Sequence, residues 1–189
     1  MHRIAIFASG AGTNAQRIIE HFNRHPSIQV SLVLSNKADA PVLEKAQKAG
    51  VETFIFNRGE FYESNLVLKE LQSRNIDLIV LAGFMWLVPE YLINAFSDRM
   101  INVHPALLPK FGGKGMYGMH VHQAVKVAGE TETGITIHLV NEEYDKGRIL
   151  FQAKCALSKK DSADDIAKKV HMLEYANFPS VIEQFILTA

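Results

Sequence analysis

The stretch "RIAIFASGAGTN", Arg3 to Asn14, joins an apolar run to a glycine-rich turn. The apolar run is typical of a buried strand, and the residues from Thr13 to His25 are predicted to form the helix that follows it. A strand that leads through a tight turn into a helix is the first half of a strand–helix–strand unit. This stretch therefore predicts an α/β fold.

The same alternation of strand and helix continues along the chain. Further strands are predicted at 28–35, 51–56, 77–83 and 99–104, and further helices at 40–50, at 60–74 and from Pro89 onward. Gly50 is expected to close the second helix, because glycine readily adopts the left-handed conformation found at helix ends. Strands joined through helices need right-handed crossovers, so the sheet is predicted to be mostly parallel with helices on both faces.

The C-terminal part of the chain departs from this alternation. Two strands are predicted in "TGITIHLV", 133–140, and "RILFQAKCAL", 148–157, and the connection between them is too short for a parallel crossover. We therefore expect an antiparallel pair, followed by a closing helix that is capped at Asp161 or Ser162. This helix is predicted to pack through Ile166, Val170, Leu173 and Phe178 and to leave Lys168 and Lys169 in solvent.

The expected architecture is a single α/β domain over residues 1–189. It is Rossmann-like, with a mostly parallel, twisted sheet of about seven strands flanked by helices and an antiparallel strand pair at its C-terminal end. A chain of 189 residues of which 48% are hydrophobic can bury a core of this size, and its length favours one domain over two.

Composition narrows the class of partner. Basic and acidic residues balance at 20 each, so the net charge does not favour nucleic acid or an anionic membrane surface. The single cysteine, Cys155, argues against a disulfide framework and a cysteine-based zinc site and fits a reducing cytoplasm. The apolar runs are too short for a signal peptide or a membrane span. We expect a cytoplasmic protein, monomeric or homodimeric, that binds small molecules.

The glycine-rich turn after the first strand is a candidate phosphate-binding loop. Its residues are Gly10, Ala11, Gly12, Thr13 and Asn14. Glycines let backbone amides approach an anion, and a helix N-terminus adds partial positive charge. A dinucleotide is disfavoured, because Ser35 to Lys37 close the second strand where an acidic residue would hold a ribose, and no Walker lysine follows the loop. The alternative is a turn that merely joins strand to helix.

The stretch "INVHPALLPK", 101–110, carries the strongest chemical signal. Asn102 and His104 lie two apart in a predicted strand, so their side chains share one face, and Pro105 then ends the strand. An amide can donate to an oxyanion, and an imidazole can carry a proton near neutral pH, which together suit acyl-type transfer. The alternative for His104 is a hydrogen-bonded core histidine.

Asp145, in the turn "NEEYDKG", is expected at an edge of the same sheet. A carboxylate beside an imidazole raises the imidazole's pKa and orients it. Taken alone, an aspartate before Lys146 and Gly147 is equally well explained as an ordinary turn residue.

Five segments together resemble the glycinamide ribonucleotide formyltransferases, which belong to the folate-dependent formyltransferase family. They are "SGAGTN", "SNKADA", "VLAGFM", "INVHPALLP" and "YDKGRILFQ", in this order and spacing, so the resemblance runs through nearly the whole chain. It implies transfer of a formyl group from the co-substrate 10-formyltetrahydrofolate to the amine of glycinamide ribonucleotide. It also implies a phosphate-binding half at about 1–100 and a folate-binding, catalytic half at about 101–189.

The resemblance assigns roles to individual residues. It places Asn102, His104 and Asp145 at catalytic positions, Gly10 to Asn14 at the substrate phosphate, and Glu174 near the sugar or the amine. Met85, Trp86, Leu87 and Val88, together with Asn102, would bind the folate, although Met85 and Trp86 could equally be core residues. No metal is expected, because His120 and His122 have no acidic or cysteine ligand nearby in the sequence.

Three rival functions remain open. A methionyl-tRNA formyltransferase would need a further C-terminal domain and a basic surface, and a formyltetrahydrofolate hydrolase would carry an extra N-terminal domain. A phosphate-binding module without catalysis is the third. Two departures from the family are a longer glycine-rich segment, Phe111 to His122, which could form a lid, and Arg148 in place of proline after the Asp145 turn.

Overall fold

The computed structural model describes residues 1–188, and within them seven strands alternate with seven helices. The strands are His2–Phe7 (β1), Ile28–Ser35 (β2), Glu52–Ile55 (β3), Leu78–Leu81 (β4), Met100–His104 (β5), Glu132–Leu139 (β6) and Ile149–Ala156 (β7). The helices are Thr13–Phe22 (α1), Pro41–Lys48 (α2), Arg58–Tyr62 (α3), Leu66–Ser73 (α4), Glu90–Ala95 (α5), Met119–Val127 (α6) and Ala163–Thr188 (α7).

All seven strands belong to one sheet with the order β3-β2-β1-β4-β5-β6-β7. The pairs β1/β2, β1/β4 and β2/β3 are parallel, whereas β6/β7 is antiparallel. The predicted fold class, a seven-stranded, mostly parallel sheet with an antiparallel C-terminal pair, is confirmed. Among residues 1–188, no helix is both long and apolar enough to cross a membrane.

The chain divides into two compact units, Met1–Ile101 and Asn102–Ala189. In the first unit, β1 and β4 are almost entirely buried, as expected for central strands covered on both faces. Gly50 ends α2 with φ +74°, as its place in the sequence predicts. The functional division into a phosphate-binding half and a catalytic half is not tested by this geometry and stays a prediction.

The second unit is built on β6, β7 and the 26-residue helix α7. The predicted cap of α7 is confirmed at Ser162, whose hydroxyl accepts from the Asp165 amide at 3.1 Å while the Asp165 carboxylate accepts from the Ser162 amide at 3.0 Å. Lys169 was predicted to lie free in solvent, and this prediction is wrong. Its ammonium is half-buried and binds the Asp161 carboxylate, because the helix start brings that carboxylate onto the same side.

Packing of α7 follows the predicted face with one exception. Ile166, Val170 and Phe178 are buried, and Lys168 is exposed, as expected, but Leu173 is only half-buried. Its neighbour Glu174 is buried instead, with 4% of its surface exposed. Burying a carboxylate on an otherwise apolar face is costly unless polar groups bind it.

The single helix predicted over 60–74 is wrong. The structure contains α3 and α4, separated near Ser64. The Ser64 hydroxyl donates to the Glu60 carbonyl at 2.8 Å and accepts from the Leu66 amide at 3.2 Å. These local bonds compete with the helical pattern and end one helix before the next begins.

Helix α6 was not predicted, because its residues follow a glycine-rich run that reads as a loop. Gly113, Gly115 and Gly118 all have positive φ, so the segment before α6 is irregular. Helical structure starts at Met119, and His122 within it is 2% exposed. The possible lid therefore cannot extend to His122 as a loop, since the last four residues of that range belong to a packed helix.

Candidate active site

The structure brings the three predicted catalytic residues together within the second unit. His104, at the end of β5, is 3% exposed, and its Nδ1 lies 3.5 Å from the Asp145 Oδ2. Asn102, two residues earlier, reaches the same carboxylate through an intermediate group, His138. The Asn102 amide nitrogen lies 3.1 Å from His138 Nε2, which in turn lies 3.6 Å from the Asp145 Oδ1. One carboxylate thus serves two histidines.

His138 was missed by the sequence reasoning. It is 2% exposed, and its Nδ1 donates to the Leu139 carbonyl at 2.8 Å. This bond leaves Nε2 to accept from the Asn102 amide when the ring is neutral. A signal existed, because Thr136 and His138 lie two apart in an otherwise apolar strand and so place two polar side chains on one buried face.

The turn that carries Asp145 is tightly constrained. Asp145 has φ +57°, a left-handed conformation that aspartate tolerates better than most residues. A Cβ on Gly147 would lie 1.6 Å from the Leu139 carbonyl oxygen, so only glycine fits there. The backbone carbonyl of Arg148 accepts from the Leu139 amide at 2.9 Å. The turn therefore closes on β6 with arginine at this position.

Hydrogen bonds define the proton positions on His104. Its Nε2 donates to the Phe111 carbonyl at 2.8 Å, so the neutral ring leaves Nδ1 unprotonated and facing Asp145. Burial lowers the pKa of His104 below its ordinary value, although Asp145 and the Phe111 carbonyl both act to raise it. Asp145 acts to raise the pKa of His104 as expected, but the loss of hydration outweighs the neighbouring charge.

The Asp145 carboxylate is held in its charged form. Burial raises the pKa of Asp145, but the neighbouring rings of His138 and His104 and the Gly113 amide outweigh it and keep the pKa below its ordinary value. The Gly113 amide donates to Oδ2 at 2.9 Å. A stable carboxylate can accept a proton from His104 or His138 only transiently, which suits a group that orients and charges an imidazole.

Glu174, the predicted sugar or amine contact, lies on α7 in a histidine-rich environment. His171 Nδ1 is 3.0 Å from the Glu174 Oε2, and this bond raises the pKa of His171 above its ordinary value. His122 packs edge-on against His171, with 6.2 Å between ring centroids. Burial, and then the charge of His171, lower the pKa of His122 to about 4. The group thus pairs one carboxylate with two rings whose pKa values are shifted in opposite directions.

The burial of neutral His122 predicts acid sensitivity of the fold. Its Nδ1 has no hydrogen-bond partner, so protonation would bury an unpaired charge. Between pH 6.5 and about 4 the unfolded chain binds the proton more readily than the folded chain, so stability falls as pH falls, by about 3 kcal/mol in total. We expect His122→Phe to flatten most of this slope in urea unfolding experiments.

The exposed His120, on the same helix, is the matched control for this prediction. His120→Phe should leave the slope unchanged, since it removes an exposed imidazole from the same helix without touching the buried one. His104 and Asp145, whose pKa values are also lowered, should contribute to the part of the slope that survives in His122→Phe. Equal slopes in the wild type and His122→Phe would contradict the assignment.

The predicted phosphate loop lies in the first unit, between β1 and α1. Gly12 has φ +68° and immediately precedes Thr13, the first residue of α1. A Cβ on Gly12 would lie 2.3 Å from Val42 Cγ2, whereas a Cβ on Gly10 would meet nothing within 4 Å. Glycine at position 12 is therefore required by backbone conformation and by packing, and the loop presents a helix N-terminus as expected.

Ser9 ties this loop to two other strand ends of the first unit. Its hydroxyl donates to the Asn36 Oδ1 at 2.7 Å and accepts from the Met85 amide at 3.0 Å. Asn36 follows β2, and Met85 follows β4, so three parallel strands deliver their carboxyl ends to one place. Asn36 occupies the place where a dinucleotide-binding protein has a carboxylate, which agrees with the interpretation against a dinucleotide.

The predicted folate-binding segment alternates between buried and exposed side chains. Met85 is 46% and Leu87 37% exposed, whereas Val88 is buried. Trp86 is half-buried against the rings of Phe56, Phe61, Tyr62 and Phe84. Trp86 and Val88 thus belong at least partly to the core, and Met85 and Leu87 remain available to cover a flat ligand.

No cluster of three or more metal-ligating side chains occurs in the part of the chain that the structure describes. His120 and His122 differ sharply in surroundings, one exposed and one buried.

Comparison with known proteins places this geometry in a family. Residues 2–182 match the family model described as formyl transferase. The phosphoribosylglycinamide formyltransferase of Haemophilus influenzae is 38% identical over 98% of this chain and 87% of its own length. The chloroplastic enzyme of the same name from Arabidopsis thaliana is 37% identical over 95% of this chain, and the chain spans 64% of its length.

Solved structures agree with the sequence matches. The crystal structure of phosphoribosylglycinamide formyltransferase from Anaplasma phagocytophilum superimposes with a TM-score of 0.88 and 31% sequence identity. The superposition covers 96% of this chain and 84% of that one.

Proposed function

This chain belongs to the formyl transferase family, and from that membership and the geometry of the site we propose that it transfers the formyl group of 10-formyltetrahydrofolate to the amine of glycinamide ribonucleotide. The product would be formylglycinamide ribonucleotide, an intermediate of purine biosynthesis. The names of the relatives support this choice of acceptor. A single unpaired cysteine and the small-molecule substrates are in keeping with action in the cytoplasm.

The observation that carries the proposal is the arrangement of Asn102, His104, His138 and Asp145. The amide contacts one imidazole, both imidazoles contact the shared carboxylate, and none of these three contacts is longer than 3.6 Å. Such a group offers neutral and cationic donors for an oxyanion together with a carboxylate that stabilises the cation. It contains no side chain that must be acylated, so direct attack by the substrate amine is the simplest route.

In the proposed reaction the amine nitrogen adds to the formyl carbon and places negative charge on the formyl oxygen. Asn102 and protonated His104 would donate to that oxygen, His104 through the Nε2 hydrogen that otherwise bonds the Phe111 carbonyl, while Nδ1 stays against Asp145. Burial favours the neutral form of His104. The protonated form becomes more favourable once negative charge develops on the formyl oxygen, and the Asp145 carboxylate, which faces Nδ1, stabilises it further. Collapse of the adduct breaks the bond to the folate nitrogen, which takes up the proton that the amine releases.

The remaining residues would hold the two substrates. The amides of Gly10 to Asn14 suit the phosphate of the ribonucleotide, because they stand at the start of a ten-residue helix. The buried carboxylate of Glu174 would accept from a hydroxyl or from the amine of the same substrate. Met85 and Leu87 would cover the pterin of the folate, with backbone groups of the segment reading its edges.

A single assay tests this function against its rivals. We expect 10-formyltetrahydrofolate to be consumed only when glycinamide ribonucleotide is present, with one formylated product for each folate released. Consumption without the ribonucleotide would identify a hydrolase. Absence of consumption, combined with measurable binding of the ribonucleotide, would identify a phosphate-binding module and would overturn the proposal.

A further inference from the structure

The chain that follows His104 is fixed by two side chains from the antiparallel ribbon β6/β7. The Thr136 hydroxyl donates to the Ala106 carbonyl at 2.7 Å and accepts from the Leu108 amide at 2.9 Å. The Gln152 amide nitrogen donates to the Leu108 carbonyl at 3.1 Å and to the Thr136 hydroxyl at 2.9 Å. Ala106 lies only two residues beyond His104, so these bonds act on the backbone that carries the imidazole.

The hydrogen-bond donors of both side chains are fully used. A hydroxyl has one hydrogen to donate and two lone pairs, and Thr136 uses all three. A side-chain amide nitrogen has two hydrogens, and Gln152 spends both on this segment and on Thr136. Thr136 is completely buried, so water cannot replace its bonds.

A third contact presses the same segment onto the ribbon. A Cβ on Gly134 would lie 2.8 Å from the Leu107 Cδ2, so Leu107 packs directly on the bare backbone of β6. Residues 106, 107 and 108 are therefore each held by β6 or β7, and none of the groups that hold them is itself one of the predicted catalytic residues.

We propose that Thr136 and Gln152 are positioning residues for formyl transfer, which hold the backbone of Ala106 to Leu108 and thereby fix the His104 ring against Asp145. This rests on the proposed function. The His104 Nδ1 to Asp145 Oδ2 distance is 3.5 Å, already at the outer limit of a useful contact. A displacement of about 1 Å in the chain after His104 would break it, and misplacement of this size can cost about a hundredfold in rate.

The test compares two buried threonines of the same strand. Thr136→Val removes the hydroxyl while keeping the shape, and Thr133→Val makes the same change at a buried position of β6 that makes none of these bonds. We expect Thr136→Val to lower kcat for formyl transfer by about tenfold to a hundredfold, with both KM values changed by less than about threefold. Thr136→Ser should recover most of kcat, and Thr133→Val should resemble the wild type.

If Thr136→Val does not fold, Gln152→Leu tests the same proposal. Gln152 is exposed, so its replacement threatens the fold less, and we expect a smaller loss of kcat with a nearly unchanged Tm. A normal kcat in folded Thr136→Val, an equal loss in Thr133→Val, or a normal kcat in Gln152→Leu would each overturn the proposal.

Crystal structures of the same variants give a readout independent of turnover. Residues 106–108 and the His104 ring should shift relative to Asp145 in Gln152→Leu and stay in place in Thr133→Val. An unshifted His104 in Gln152→Leu would overturn the positioning role even if the wild type transfers no formyl group. A wild type without transfer activity would overturn only the proposed function.

Discussion

His104→Ala is expected to lower kcat for formyl transfer by at least about a hundredfold, or about 3 kcal/mol. The ring would provide the cationic donor for the oxyanion, and its removal leaves the Asp145 carboxylate without one of its two histidine neighbours. Substrate binding should suffer less, so KM for either substrate should change far less than kcat.

Because Asp145 acts through His104, the effects of the two changes should not add. Asp145→Asn is the better partner than Asp145→Ala, since asparagine tolerates the left-handed backbone at this position while losing the charge. On top of His104→Ala it should cost little more in kcat. Some residual coupling through His138 is expected, because that ring contacts the same carboxylate.

The measurements are kcat and Tm for both single variants and the double variant, with His2→Ala as an exposed histidine control. A structural His104 would reveal itself in a lower Tm and a nearly normal kcat of the folded protein. A double variant whose loss equals the product of the single losses would show that the two groups work independently.

Gly12→Ala is expected to produce the second large effect, on the phosphate loop. The added methyl group would lie 2.3 Å from the Val42 Cγ2 at a φ of +68°, so it meets both a steric clash and an unfavourable backbone conformation. Together these should cost about 3 kcal/mol of stability. The loop must then move away from α2, and KM for the ribonucleotide should rise at least about tenfold.

Gly10→Ala is the control that adds a methyl group to the same loop without a steric clash. A Cβ at Gly10 has open space around it, so the melting temperature should stay close to that of the wild type. The comparison is made by thermal unfolding and by steady-state kinetics with each substrate varied in turn. If Gly12→Ala raised KM for folate as much as KM for the ribonucleotide, the loop would not be the phosphate site.

Most of the fold could be predicted from the sequence because local pattern and tertiary structure agree. The apolar runs at β1, β2 and β4 are buried strands, and glycine at position 50 and serine at position 162 end and begin helices as their chemistry favours. The break at Ser64 and the helix that starts at Met119 were not predicted. At Ser64 the hydrogen bonds of one side chain end the helix, and at Met119 a short helix follows a glycine-rich segment. Neither feature produces a hydrophobic period long enough to be recognised in the sequence.

The sequence was a better guide to which residues form the candidate site than to the pKa values of those residues. The spacing of Asn102 and His104 and the turn at Asp145 were sufficient to expect the three residues at one edge. His138 escaped notice because a histidine in an apolar strand is usually a satisfied core residue. The direction of the His104 pKa shift could not be read from sequence at all, since it depends on how completely the ring is removed from water.

The hydroxyl of Ser9 links the two segments that the proposed function assigns to the two substrates. It accepts from the amide of Met85, in the proposed folate segment, and it directly precedes the proposed phosphate loop at Gly10. A ligand that shifts one of these segments must strain or relax the bond to the other. Such coupling is reciprocal: if a bound ribonucleotide tightens the binding of folate by some factor, bound folate tightens the ribonucleotide by the same factor.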